Sequence, residues 1–413
     1  MDEARAAGAT PAPRRPTTDA ATMRGDSGRV IGTLTLLWLA GMGLRLTILA
    51  AAPVLPMIHR DLNLTETAIG TLGSLPSLLF AFAAVPGALL IARFGARATL
   101  VAGLILTAVG SAARGAAPDI LILDGATILM GAGIAIMQPT LPPLVREWMP
   151  NRIGFATAVY TNGLLVSEII AVAAAVPIVL PLVRGSWRLS FVVWALPVLL
   201  TAALVVWGAP GTSAASRAAR GFAARRWWPN WRHPLVWRLG IMLGGVNTIY
   251  WSANTFLPDY LYGMGRGDLV VPVLSALNGG QLPGSLLMLA IASRVVRSRA
   301  IYVVLGALIL ASVFGIVVGS GNVIVALAAI VGCANAVALV LMLALPALVV
   351  PVEDVPRMSA AMFTVSYPCA VVLPILGGFA WDETGIAAVA FAPAALGAIA
   401  ILALGPGIRF DRA

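Results

Sequence analysis

Twelve segments of this chain run for about twenty residues or more with almost no charge, and a segment of that kind can fold in few ways. In lipid every backbone N–H and C=O must be satisfied within the protein, so a spanning segment of that length is an α-helix. Breaks at charges, prolines and glycines give approximate spans 31–58, 67–92, 98–117, 120–148, 154–182 and 188–209. After a polar stretch come 235–263, 269–293, 300–319, 322–350, 356–381 and 386–408. Composition agrees: 60% of residues are hydrophobic and 11% charged, against about 25% charged in a soluble domain. The expected fold class is an all-α integral membrane protein, with six transmembrane helices on each side of the segment "GTSAASRAARGFAARRWWPNWRHP".

The basic balance comes from arginine alone, since the chain has no lysine. With the N-terminus inside, the outer loops hold Arg60, Arg114, Arg184, Arg188 and Arg266, and every other arginine except Arg45 falls on an inner segment. That asymmetry is the positive-inside pattern and predicts cytoplasmic termini. Residues 1–29 read as a disordered cytoplasmic tail, 30–209 and 235–408 as two six-helix bundles, 210–234 as a cytoplasmic linker and 409–413 as a short cytoplasmic tail. A cysteine replacing Ser216 in the linker is therefore expected to resist an impermeant thiol label added outside intact cells; labelling there would reverse the topology.

The same arginine distribution explains the high pI without nucleic acid, which would need a folded basic domain. The linker cluster Arg225, Arg226, Trp227, Trp228 and Trp231 has two readings, a lipid-binding element or an interfacial stretch obeying the positive-inside rule, and the second is favoured. No catalytic set is visible. The two histidines, His59 and His233, are far apart, no metal or cofactor is expected, and Cys333 and Cys369 lie in apolar segments where a thiol behaves as a small hydrophobe. "GAG" at 131–133 fits close helix packing better than a nucleotide loop.

The halves carry a tandem repeat. "VLP" at 54–56 returns as "FLP" at 256–258, "SLPSLL" at 74–79 as "QLPGSLL" at 281–287, and "LPPLV" at 141–145 as "LPALV" at 345–349. The matches keep their order and a nearly constant offset, as expected of transporter folds built from repeats.

Polar groups at bilayer depth are costly, about 2.5 to 17 kcal/mol for an arginine, so their positions map a protected interior. Span 1 holds Arg45; span 4 holds Asp124 and Gln138; span 5 holds Tyr160, Asn162 and Glu168. Span 7 holds Asn247, Tyr250 and Asn254 on one helical face, and span 8 holds Asn278 and Gln281 on another. Asn335 lies in span 10 and Tyr367 in span 11, whereas spans 3, 6, 9 and 12 have no amide or charge in their central turns. Every third helix is thus lipid-compatible all round, while the others share a polar interior.

With these features on view, residues 30–408 resemble the major facilitator superfamily, and more narrowly its branch of cyanate permeases and 2-nitroimidazole transporters. The stretches that carry the resemblance are "LRLTILAAAPVLP", "GAGIAIMQPTLPPLVREWMP", "GFATAVYTNGL", "SWRLSFVVWALP" and "MSAAMFTVSYPCAVVLPILGGFAWDETG". The resemblance implies a cavity lined by spans 1, 2, 4, 5, 7, 8, 10 and 11, and it places Arg45 on the family's span-1 arginine. It also places Arg93 and Gly95, with Arg97 beside them, on the loop motif that locks the outward-facing state; Ala92 stands where that motif usually has an acid. The proline-glycine pattern of drug:proton antiporters is missing from span 5.

The expected function is secondary active transport by alternating access, without covalent chemistry, in a bacterial plasma (inner) membrane. The expected partners are the bilayer, a small anionic or polar organic solute and a proton, and the chain is expected to work as a monomer. Arg45 is the candidate anchor, because a guanidinium offers a planar fork of donors to carboxylate-like or nitro-like oxygens. Gln138, Tyr160, Asn162, Asn247, Tyr250, Asn254, Asn278, Gln281, Asn335 and Tyr367 are candidate neutral contacts, with Trp38 or Phe363 as apolar walls. Glu168 is the candidate proton-coupling carboxyl, because a carboxylate isolated from water binds a proton and one beside a guanidinium stays charged. A static Arg45–Glu168 salt bridge is the competing role for that pair; Asp124 is a second coupling candidate, for which a structural pair to Arg114 is the favoured role. A multidrug exporter and a non-transporting sensor are the rival readings.

Overall fold

A computed structural model describes residues 20–64, 66–211 and 227–410. Residues 1–19 of the expected tail 1–29, most of the expected linker (212–226) and residues 411–413 lie outside the described residues, while residues 20–29, expected as disordered tail, are helical and continue into span 1.

Among the described residues all regular structure is helical. In chain order the spans are Ala20–Gly43 continued by Leu46–Leu49 (span 1), Glu66–Phe94 (span 2), Ala96–Gly115 (span 3), and Ile120–Met137 with Leu141–Trp148 (span 4). Ile153–Ala174, extended to Leu182 through a π-helical turn, forms span 5, and Trp187–Gly208 forms span 6. Pro234–Gly263 is span 7, Val270–Gly279 with Gln281–Val295 span 8, and Arg299–Val318 span 9. Asn322–Val349, Val355–Thr384 and Ala392–Leu404 complete spans 10 to 12.

Nine helices among the described residues are long and apolar enough to cross a membrane on composition alone. Two of the other spans have identifiable causes: span 7 carries Asn247, Tyr250, Asn254 and Asp259, and span 8 is interrupted at Gly280.

The helix pairings of one half recur in the other. Span 1 packs on 5 and 6, span 3 on 4 and 6, and span 2 on 4; correspondingly span 7 packs on 11 and 12, span 9 on 10 and 12, and span 8 on 10. The tandem repeat in sequence is therefore a repeat in packing. Between the halves, span 2 meets span 11 and span 5 meets span 8. Spans 3, 6, 9 and 12 turn Ile105, Val109, Leu196, Leu200, Val304, Phe314, Leu396 and Ile399 outward, in keeping with their lack of polar residues in mid-span.

At the end of the bundle where the linker leaves, Arg146 of span 4 donates to the carbonyls of Ala347 (2.8 Å) and Val350 at the end of span 10. It caps the orphan carbonyls of that helix and joins the halves there. At the other end, Arg188 and the indole N–H of Trp187 bind the Asp61 carboxylate and hold it below the usual carboxylate range.

Candidate functional site

Spans 1 and 5 touch backbone to backbone, and glycine makes that possible. A Cβ on Gly41 would lie 1.9 Å from the Tyr160 carbonyl oxygen, and one on Gly163 would lie 2.1 Å from that of Trp38. The Trp38 indole N–H also donates to Asn162 Oδ1 at 3.0 Å. This contact sets the register that faces Arg45 toward Glu168.

Span 1 then breaks. The helix ends at Gly43 and restarts at Leu46, leaving Arg45 in a turn with φ −128° and ψ −24°. Irregular backbone at membrane depth is tolerated where it is buried in protein or lines a cavity. Arg45 Nε lies 3.5 Å from Glu168 Oε1, with both side chains mostly buried. Each charge compensates the other's loss of water.

Each member of the pair lines a cavity of its own. Arg45 lines one of about 50 Å³ with Gln138, Tyr160, Asn247 and Tyr367, closed by Phe363 and several leucines. There the Tyr367 hydroxyl donates to Gln138 Oε1 at 2.7 Å, and Asn247 Nδ2 donates to Ser366 Oγ at 2.7 Å. The Tyr367 ring stacks on Phe363 and tilts against Phe80, with centroids 6.2 and 5.0 Å away.

Glu168 lines the second cavity, about 400 Å³, with Tyr250, Asn278 and Gln281 on its polar side and Leu49, Leu165 and Ile169 on its apolar side. The polar side is braced by a small network. Tyr250 donates to Asn278 Oδ1 (3.0 Å), Asn278 Nδ2 to Asn254 Oδ1 (2.8 Å), and Asn254 Nδ2 to the Tyr250 carbonyl (2.9 Å). Gln281 adds a longer contact of 3.5 Å to Asn278.

Not every candidate reaches a cavity. Asn162 spans the interface of the halves, donating to Ser285 Oγ at 3.0 Å while accepting from Trp38, so Trp38 is a brace rather than a cavity wall. Asn254 lies behind Asn278, and buried Asn335 lines neither cavity. Asp124 sits near the start of span 4 and forms no ion pair among the described residues. The expected partner of Asp124 is engaged elsewhere: Arg114 donates to the Thr47 carbonyl and approaches Met130 sulfur, with its guanidinium 4.1 Å from the Phe191 ring centroid. Arg114 was placed on an outer loop by its sequence position, yet it is buried, because the aromatic face and a carbonyl replace water around it. In the loop between spans 2 and 3, Gly95 adopts φ 88°, a left-handed conformation that favours glycine, and Arg97 donates to the Val206 carbonyl at the end of span 6.

Sequence reasoning did not pick out Ser285 or Phe80. Ser285 lies in the repeated "QLPGSLL" stretch, but its pairing with Asn162 depends on how the halves dock.

The model for "Major Facilitator Superfamily" matches residues 37–367. The chain belongs to that superfamily. Curated relatives include the "Uncharacterized transporter YycB" of Bacillus subtilis (strain 168), 26% identical over 83% of this chain and 84% of its own length. The "2-nitroimidazole transporter" of Escherichia coli (strain K12) is 30% identical over 54% of this chain and 56% of its own length. The "Cyanate transport protein CynX" of the same organism is 25% identical over 63% and 66%, so this chain spans less than two thirds of either of those two proteins. Solved structures with the same fold include the transporter FucP in the outward conformation (TM-score 0.69, 16% identity, 90% of this chain and 97% of that chain). The proton:xylose symporter XylE aligns with TM-score 0.67, 15% identity, and 91% and 95% coverage. The chain is thus a multi-pass membrane transporter rather than an enzyme.

Proposed function

We propose that this superfamily member carries a small anionic or strongly polar organic solute by alternating access, coupled to a proton. The observation that carries the reading is the Arg45–Glu168 pair, each member of which lines a cavity. An arginine held by a static partner needs no cavity beside it; one that must exchange partners does. The solute's oxygens replace Glu168 on the guanidinium, and the freed carboxyl binds a proton rather than remain an isolated buried charge. Solute and proton then move together, as in symport. The names of the nitroimidazole and cyanate transporters support compact, oxygen-bearing or anionic solutes for this chain as well.

In this reading the chain works as a monomer in the plasma membrane, with both termini and the 210–234 linker cytoplasmic and bundles at 30–209 and 235–408. In that orientation the Arg146 clasp closes the cytoplasmic end, and the chamber beside Glu168 belongs to an outward-facing state. Arg93, Gly95 and Arg97 act in the conformational loop, while Asp124 is left outside the coupling step. The test is uptake into proteoliposomes of a panel of small carboxylates, cyanate and nitroaromatics, with and without an imposed pH gradient. Uptake of none of them by a correctly folded protein would overturn the reading.

The amides supply neutral hydrogen bonds. Asn247→Ala and Asn278→Ala are each expected to weaken solute binding by about 1 to 3 kcal/mol, because each leaves a buried polar partner unmet. Equilibrium binding to purified, membrane-inserted variants checks this, and unchanged affinity in both would make these amides purely structural.

A further inference from the structure

At the linker end, away from the residues that line the Arg45 site, lies a partly open cavity of about 730 Å³. Arg238, Arg299, Arg357 and Arg409 line it with His233, and Asp354 is the one carboxylate of the lining among the described residues. These arginines come from the start of span 7, the start of span 9, the start of span 11 and the segment after span 12. A bias of arginine toward one side of the membrane accounts for basic residues at this end, but not for four separate segments converging on one concavity.

Two of the four are already engaged. Arg238 donates to the Gly407 carbonyl, and Arg357 Nη2 lies 2.7 Å from Asp354 Oδ2. Arg299 and Arg409 are exposed and form no ion pair among the described residues. A second feature lies along the chain segment that brings Asn230 and His233 to the lining. Trp228, Trp231 and Trp237 form a chain of ring contacts at 6.5 and 6.4 Å, tied by a 2.8 Å hydrogen bond from the Trp237 indole to the Trp231 carbonyl. Trp228 and Trp237 are exposed. Tryptophans of that kind sit at the headgroup level of a bilayer, and basic pockets between helices there receive anionic headgroups.

We infer that this cavity is a binding site for a phosphate-bearing anion, gripped by Arg299 and Arg409, with exposed Trp228 and Trp237 on the segment that supplies Asn230 and His233 to its lining. A phospholipid headgroup and a free phosphate share that chemistry. The cavity wall includes Val350, whose carbonyl accepts from Arg146 of the other half. An anion here therefore rests against the clasp that joins the halves.

The test follows thermal unfolding of the full chain in detergent at fixed ionic strength, titrated separately with a short-chain phosphatidylglycerol, the matching phosphatidylcholine and inorganic phosphate. Phosphatidylglycerol is expected to bind about tenfold tighter than phosphatidylcholine. Arg299→Gln/Arg409→Gln should lose that preference, whereas Arg60→Gln/Arg184→Gln, which removes equal charge at the opposite end, should keep it. The single variant Arg299→Gln should show an intermediate preference and guards against misfolding of the double. Stabilisation by inorganic phosphate with the same arginine dependence assigns the site to free phosphate; stabilisation by phosphatidylglycerol alone assigns it to lipid. An unchanged preference in Arg299→Gln/Arg409→Gln, or an equal loss in both double variants, overturns the site.

Discussion

Arg45→Ala is expected to abolish transport of every anion the parent carries, while the variant still reaches the membrane at the parental level. Among the described residues the guanidinium is the one cation lining either cavity, so no neighbouring side chain there can replace it. Two charge-assisted hydrogen bonds to a solute are worth roughly 3 to 6 kcal/mol together, which is at least a hundredfold in affinity. Folding should survive, because Glu168 left without its partner can bind a proton and become neutral. Arg45→Lys should rescue poorly: an ammonium is a point charge and lacks the planar fork. Initial uptake rates in proteoliposomes check both variants, and parental uptake by Arg45→Ala would remove the anchor from the account.

Glu168→Gln is expected to separate binding from coupling. Glutamine keeps the shape of the side chain but removes its charge, so Arg45 no longer has to leave a carboxylate before taking a solute. Binding should be retained or tighten, whereas accumulation driven by an imposed pH gradient should be lost. Exchange of labelled solute across the membrane without net accumulation should persist, since no proton is needed to compensate the pair. A variant that still concentrates solute as the parent does would reduce Glu168 to a structural partner and place the proton route elsewhere.

The legible and illegible parts of this molecule follow from the range over which each signal acts. The spans were legible because the bilayer imposes a length of about twenty residues, and spans 3, 6, 9 and 12 because nothing polar interrupts their middles. Arg45 and Glu168 were legible because a charge in an apolar run must have a reason. The break after Gly43 was not, since Gly41 and Gly43 fit equally well into a helix that packs closely against its neighbour.

The amides show the limit of helical spacing. Asn247, Tyr250 and Asn254 share one face of span 7, yet Asn247 lines the Arg45 cavity, Tyr250 the Glu168 cavity, and Asn254 only braces Asn278. Periodicity gives the face, but the crossing of neighbouring helices decides what each turn of that face meets. Asn162 went to the interface of the halves for the same reason: its partners Trp38 and Ser285 are more than 120 residues away in sequence. Arg114 shows the converse, a residue near a span end that sequence position assigns to water and a nearby aromatic ring removes from it.

The most direct test of the account is proton uptake on solute binding, measured with a pH indicator on purified protein in weakly buffered solution. The titrant is the tightest-binding member of the carboxylate, cyanate and nitroaromatic panel. The account predicts that the parent takes up about one proton per bound anion near neutral pH, because Glu168 loses its guanidinium as the anion arrives. Glu168→Gln should bind the same anion with no proton uptake. Equal uptake by the parent and Glu168→Gln, or binding by the parent without any, would contradict the exchange of partners at Arg45.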